Sequence, residues 1–200
     1  MIPQPHIAEL SAYALADMAV APGKRLISLA QNESAAAPSP RALAAAREAL
    51  GRSVLYPDPD WGELRAAIAE THGLDPAMIL CGAGSMELIG ALIRAYAGPG
   101  AEVLASSHTY AFFRTAAAQA RAPYRWVEEA DLTVSVDALL GAVGPETRVV
   151  AVANPGNPTG TWLPPAEIRR LRDGLPESVL LIVDEAYGEF AGSPAHFDLP

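Results

Sequence analysis

The run Val179-Leu180-Leu181-Ile182-Val183, which stops on Asp184-Glu185, constrains the fold more than any other stretch. Consecutive apolar residues rich in β-branched side chains read as a strand buried on both faces, and such strands belong to parallel sheets covered by helices. A carboxylate at the mouth of a buried strand is costly unless a positive or hydrogen-bonding group meets it. In open α/β sheets the carboxyl ends of the strands are where ligands bind. Asp184 is therefore placed to meet a cation, with Tyr187 one helical turn later. An aspartate that caps the next turn or pairs with an arginine accounts for the position equally well, and the choice rests on the rest of the chain.

That chain alternates. Glu102 to Ala105 reads as a strand and Tyr110 to Ala120 as a helix. Tyr124 to Val127 and Arg148 to Ala153 read as strands, Val136 to Val143 and Pro165 to Arg172 as helices. Strand–helix alternation with continuous apolar strands predicts a parallel sheet with helices on both faces. Upstream, Glu9 to Val20 reads as a helix ended by Pro22-Gly23, and Arg25 to Leu29 as a short strand. Residues 31–40 read as an irregular crossing segment. Ser39 as N-cap and Pro40 at the first helical position start a helix to about Leu50. A helix follows from Trp61 to about His72. Met78 to Cys81 is a short apolar piece, and a further helix runs from Gly82-Ala83-Gly84-Ser85 to about Tyr96.

Net charge and cysteine count narrow the function classes. The formal charge is −9 with no basic patch, which argues against binding a phosphate backbone. One cysteine allows no internal disulfide and suits a reducing compartment. No signal peptide and no run of membrane-spanning length is recognisable, so the expectation is a soluble, cytoplasmic protein. Lys24 is the only lysine.

Several stretches carry candidate chemistry. Gly82-Ala83-Gly84-Ser85 opens a helix, where close backbone approach and free N–H groups attract a phosphate; a plain glycine turn is the alternative. Asn154-Pro155-Gly156-Asn157-Pro158-Thr159-Gly160 forms a tight loop at the end of a strand and holds the Asn157 amide toward the same edge as Asp184. Tyr110 is placed either to lie face-on to an aromatic ligand or to pack in the core. His108 reads as a surface or capping histidine and Cys81 as a small buried hydrophobe. No His or Cys pair at useful spacing joins Asp184-Glu185, so no metal site is expected.

Asn157-Pro158-Thr159-Gly160 with Asp184-Glu185-Ala186-Tyr187 resembles the fold type I pyridoxal-phosphate (PLP) aminotransferases. Tyr56-Pro57-Asp58-Pro59 and Gly82-Ala83-Gly84-Ser85-Met86-Glu87 resemble the histidinol-phosphate aminotransferase branch. The resemblance covers about residues 25 to 200. It implies an α/β fold whose large domain has three αβα layers and a mainly parallel sheet, incomplete at the C-terminus. Residues 1–35 would be an N-terminal arm and the start of a small domain, and 36–200 the PLP-binding large domain.

The resemblance also implies roles. Asp184 would hold the pyridine nitrogen protonated. Asn157 and Tyr187 would hydrogen-bond the ring's phenolic oxygen, and Tyr110 would stack on the ring. Gly84, Ser85 and Met86 would meet the cofactor phosphate. Tyr56 would reach the phosphate in a neighbouring subunit, which implies a homodimer. Asn32, beside Glu33, would pass over the substrate. The expected partners are an amino donor and a 2-oxo acid, 2-oxoglutarate. The rival readings are a threonine-phosphate decarboxylase-like PLP lyase, a general aromatic aminotransferase, and a non-catalytic PLP-fold fragment. Three positions depart from the family. Met86 replaces a frequent acidic residue, His108 a common proline, and Gln31-Asn32-Glu33-Ser34 varies the N-terminal pattern. The Schiff-base lysine is expected beyond Pro200, so these 200 residues alone are expected not to transaminate.

Overall fold

A computed structural model describes residues 2–10, 19–28, 30–34 and 36–191. In chain order the helices and strands are α1 (Pro5–Ala8), α2 (Pro40–Ala49), α3 (Gly62–His72), α4 (Ser85–Tyr96), β1 (Glu102–Ser106), α5 (Phe112–Gln119), β2 (Tyr124–Val127), α6 (Val136–Ala142), β3 (Thr147–Ala153), α7 (Pro165–Gly174) and β4 (Leu180–Asp184). Two compact units are present: one of Met1–Leu10 with Arg65–Pro200, the other of Ser11–Leu64.

In the larger unit the strands pair in the order β2-β1-β3-β4, and every pairing is parallel. The side-chain period of two sorts the strand residues between two cores. Val103, Val149, Ala151 and Ile182 face Ile89 and Ile93 of α4 and Phe113, Ala116 and Ala117 of α5. Leu104, Val150 and Val152 face Val136 and Leu139 of α6 and Ile168 and Leu171 of α7. The sheet is thus the middle of three layers, as the apolar runs predict. Each fully buried Val, Leu or Ile in these two cores contributes about 1.5–3 kcal/mol.

The connections position the site. From β1 the chain crosses through α5 to β2 on one side. From β2 it returns through α6 to β3, and from β3 it continues through α7 to β4. Parallel crossovers are right-handed, so reversing direction along the sheet moves the crossover helix to the other face. The chain leaving β1 and the chain leaving β3 therefore diverge to opposite faces. A crevice opens between them at the carboxyl ends of the strands.

Some expectations change. Residues 24–28 form no strand, and the helix expected over Glu9 to Val20 lies mostly outside the described residues. Asp184 closes β4 rather than following it, and Tyr187 sits in a turn, not a helix. The short apolar piece Met78–Cys81, to which the sequence assigns no element, holds one extended residue, Ile79, and pairs with none of the described strands.

Candidate active site

A cavity of about 90 Å³ lies at the crevice, lined by Ser85, Tyr110, Ala153, Pro155, Asn157, Asp184, Ala186 and Tyr187. Three strand ends and one helix start supply them. Tyr110 follows β1, Pro155 and Asn157 follow β3, and Asp184 to Tyr187 close and follow β4; Ser85 is the first residue of α4.

Asp184 is 8% exposed. Its Oδ1 accepts the backbone N–H of Ala186 at 3.2 Å, and Ser85 also hydrogen-bonds its carboxylate. The aspartate thus does cap the next turn. No arginine, lysine or histidine pairs with it among the described residues. Burial raises its pKa above the ordinary carboxylate value, and the bonds from Ala186 and Ser85 oppose the rise. Its backbone is fixed as well: Asn154 N–H donates to the Asp184 carbonyl at 2.9 Å.

Asn154 and Asn157, alike in sequence, do different work. Asn154 is 2% exposed. Its Nδ2 donates to Leu163 O at 3.0 Å, and its Oδ1 accepts Leu163 N–H at 2.8 Å. This two-way bond closes the loop that carries Asn157. Inside it, Gly156 N–H reaches Thr161 O and Gly160 N–H reaches Gly156 O. A Cβ on Gly156 would overlap the Thr159 hydroxyl, and Gly160 has φ +69°, so both positions suit glycine. The sequence marked the loop but missed the Asn154 clamp, and it missed Ala153 and Pro155 as lining residues. The clamp leaves a signal only in three dimensions, because its partner lies nine residues downstream.

Tyr110 packs edge-to-face on Phe113, with centroids 5.8 Å apart, while also lining the cavity. Gly84, with φ +83°, is the N-cap of α4, and Met86 is about half exposed. Neither lines the cavity. Ser85, expected on a phosphate, turns its hydroxyl to Asp184. Ala83 N–H donates to the Glu87 carboxylate, which folds the glycine turn back onto the helix start. The free N–H groups of the first turn of α4 and its positive dipole end lie beside the cavity. Tyr56 and Asn32 belong to the smaller unit. Tyr56 is fully exposed, and Asn32 has φ +52°. No metal-ligating cluster exists among the described residues. No helix among them is long and apolar enough to cross a membrane.

The sheet thus brings an acid, an amide and two tyrosines together at its switch point, where open α/β sheets bind ligands, and comparison names the family. The chain belongs to the aminotransferase class I and II family, whose model matches residues 24–199. It is 46% identical over 188 residues to the histidinol-phosphate aminotransferase of Paramagnetospirillum magneticum, covering 94% of this chain and 52% of that protein. The corresponding protein of Erythrobacter litoralis is 49% identical over 170 residues, 85% of this chain and 46% of that one. The crystal structure of histidinol-phosphate aminotransferase from Sinorhizobium meliloti in complex with pyridoxal-5'-phosphate superposes with a TM-score of 0.76 at 37% identity. It covers 78% of this chain and 43% of the solved one. The chain thus spans about half the length of the curated relatives it matches.

Proposed function

We propose that the protein carrying these residues is a PLP-dependent aminotransferase of the histidinol-phosphate type. It would move an amino group between a phosphorylated or aromatic amine and 2-oxoglutarate, in the cytoplasm, as a homodimer. The observation that carries the reading is Asp184: a buried carboxylate at the switch point, met by two hydrogen-bond donors and by no cation among the described residues. A protonated pyridine nitrogen has the charge and shape that such a carboxylate lacks.

The other residues fit the same group. The flat phenol of Tyr110 and the amide of Asn157 share the cavity with Asp184 and Tyr187. When bound, PLP supplies an electron sink for the carbanion formed at the substrate's α-carbon. Asp184 would keep the ring nitrogen protonated. Asn157 and Tyr187 would orient the ring through its phenolic oxygen, and Tyr110 would cover its face. Gly84, Ser85 and Met86 would offer backbone N–H groups to the phosphate. Tyr56 would reach the phosphate bound by the partner subunit, and Asn32 would contact substrate. The larger unit, residues 1–10 and 65–200, holds no lysine, so its residues would hold the cofactor by hydrogen bonds, charge and stacking and not through a lysine side chain.

The test uses the full-length protein with PLP, histidinol phosphate and 2-oxoglutarate. Glutamate formation, lost in Asp184→Asn, supports the reading. Carbon dioxide release from threonine phosphate without glutamate would make the protein a lyase. Reversible PLP binding with no borohydride-trappable adduct would make it a binding module.

A further inference from the structure

The turn that carries Tyr110 is held from outside by a buried acid that the reading above does not use. The Glu129 side chain, on the segment after β2, is 1% exposed. Its Oε1 accepts the His108 backbone N–H at 3.3 Å, and its Oε2 lies 3.1 Å from His108 Nδ1. An ionised carboxylate only accepts, so the contact with Glu129 is a hydrogen bond in the tautomer with the proton on Nδ1, which also lies 3.0 Å from the Ser107 hydroxyl. Ser107 N–H donates to Val127 O at 2.9 Å, a second tie from the same turn to the end of β2. Within the turn, by contrast, the Ser106 and Thr109 hydroxyls are buried without a partner among the described residues. One bond stays inside the turn, Ser107 Oγ to His108 Nδ1 at 3.0 Å; the ties that anchor the turn to the rest of the fold run outward, to Val127 and to Glu129. Tyr110 stands two residues past His108 and lines the cavity.

We propose that Glu129 is a positioning residue: its buried carboxylate clasps the His108 turn and thereby sets where the Tyr110 ring stands at the cavity wall. The inference rests on the reading in which Tyr110 covers the PLP ring. Burying a carboxylate is costly unless it is hydrogen-bonded, and Glu129 recovers that cost through the one turn that carries the stacking residue. Glutamine can replace it: the amide oxygen accepts the backbone N–H, and the amide NH2 donates to Nδ1 once the imidazole takes its other tautomer.

The experiment compares wild type, Glu129→Ala and Glu129→Gln in the full-length protein, with two readouts. Amide hydrogen exchange without cofactor reports the clasp. PLP affinity with the visible circular dichroism of the bound cofactor reports the ring's placement. In Glu129→Ala the amides of residues 108–110 exchange about ten-fold faster. PLP binds about ten-fold more weakly, and the visible dichroic band is lost. Glu129→Gln restores all three. Unchanged exchange in Glu129→Ala overturns the clasp. Faster exchange with unchanged affinity and dichroism overturns the positioning role. If Glu129→Ala does not fold, His108→Ala, which removes the imidazole's bonds to Glu129 and to the Ser107 hydroxyl and keeps the backbone bond, with Ser107→Ala as its control, gives the comparison for the ring half of the clasp. A wild-type protein that binds no PLP overturns the cofactor reading and the role of Tyr110 with it, while exchange still decides the clasp.

Discussion

Burial holds a proton on the Asp184 carboxylate more tightly in the folded protein than in the unfolded chain. Between the unfolded and folded pKa values the native state binds more protons. The linked stability is therefore complete below the ordinary carboxylate value and is lost as pH rises through the folded one. At neutral pH the ionised acid is a liability to the cofactor-free fold, and a cationic ring would relieve it. Asp184→Asn removes both the liability and the chemistry. We predict a loss of about a hundred- to a thousand-fold in kcat, together with a cofactor-free protein more stable than wild type at neutral pH. Urea unfolding of both proteins shows that difference shrinking as the buffer is made acidic. Ser85→Ala acts on the same group in the opposite sense. It deletes a donor that lowers the Asp184 pKa, so the acid limb of PLP binding moves to higher pH, which an absorbance titration of the bound cofactor measures.

The strands present their chemistry at one end and lock it from the other. At the amino ends, Arg125 Nε and Nη2 donate to the two oxygens of Glu102, each at 2.7 Å. Nη2 also reaches Ala142 O, and the Thr147 hydroxyl donates to Glu102 at 2.9 Å. β1, β2, β3 and the end of α6 are thereby tied through one largely buried acid. Arg125 holds the Glu102 carboxyl below the usual range. That stability is present above the ordinary value and is lost as pH falls through the folded one. Arg125→Ala strands Glu102 and costs about 2–3 kcal/mol in denaturant unfolding, and the deficit narrows in acid as Glu102 takes up its proton. None of this network is legible in sequence, because its members are related only by the register of the sheet. The strands themselves are legible to within a residue or so, because the buried interiors of β1, β3 and β4 are apolar runs between turn residues and the half-exposed edge strand β2 still carries aromatic and β-branched residues. So is the acid at the end of β4, since a carboxylate there demands an explanation. Met78–Cys81 is apolar for a reason that sequence cannot distinguish from strand formation, since a strand exists only where a neighbour pairs with it. Asn154 and Asn157 likewise read as equivalent until the loop closes and assigns one to the scaffold and the other to the cavity.

At the scale of the whole molecule, the smaller unit carries an apolar surface that its own fold leaves open. Leu50, Val54 and Leu55 are 69%, 90% and 66% exposed, and Tyr56 is fully so. Leu55 and Tyr56 line a groove of about 680 Å³ with Pro57, Trp61 and Leu64. Contiguous exposed apolar residues of this kind mark an interaction surface, and the proposed homodimer supplies the partner. In a two-fold dimer whose sites each combine Asp184 of one subunit with Tyr56 of the other, defects in the two residues complement one another. We predict that Asp184→Asn is inactive alone and that Tyr56→Ala is nearly inactive when PLP is scarce. In a mixed dimer both lesions fall in one site and leave the other intact. Random exchange of equal amounts makes about half the dimers mixed, each with one working site, so the mixture recovers about a quarter of the wild-type rate. Unfolding the two full-length variants together, refolding them and assaying glutamate at limiting PLP measures it. If the refolded mixture does no better than the two variants assayed apart, Tyr56 acts within its own subunit or not at the site, and the shared-site dimer is wrong.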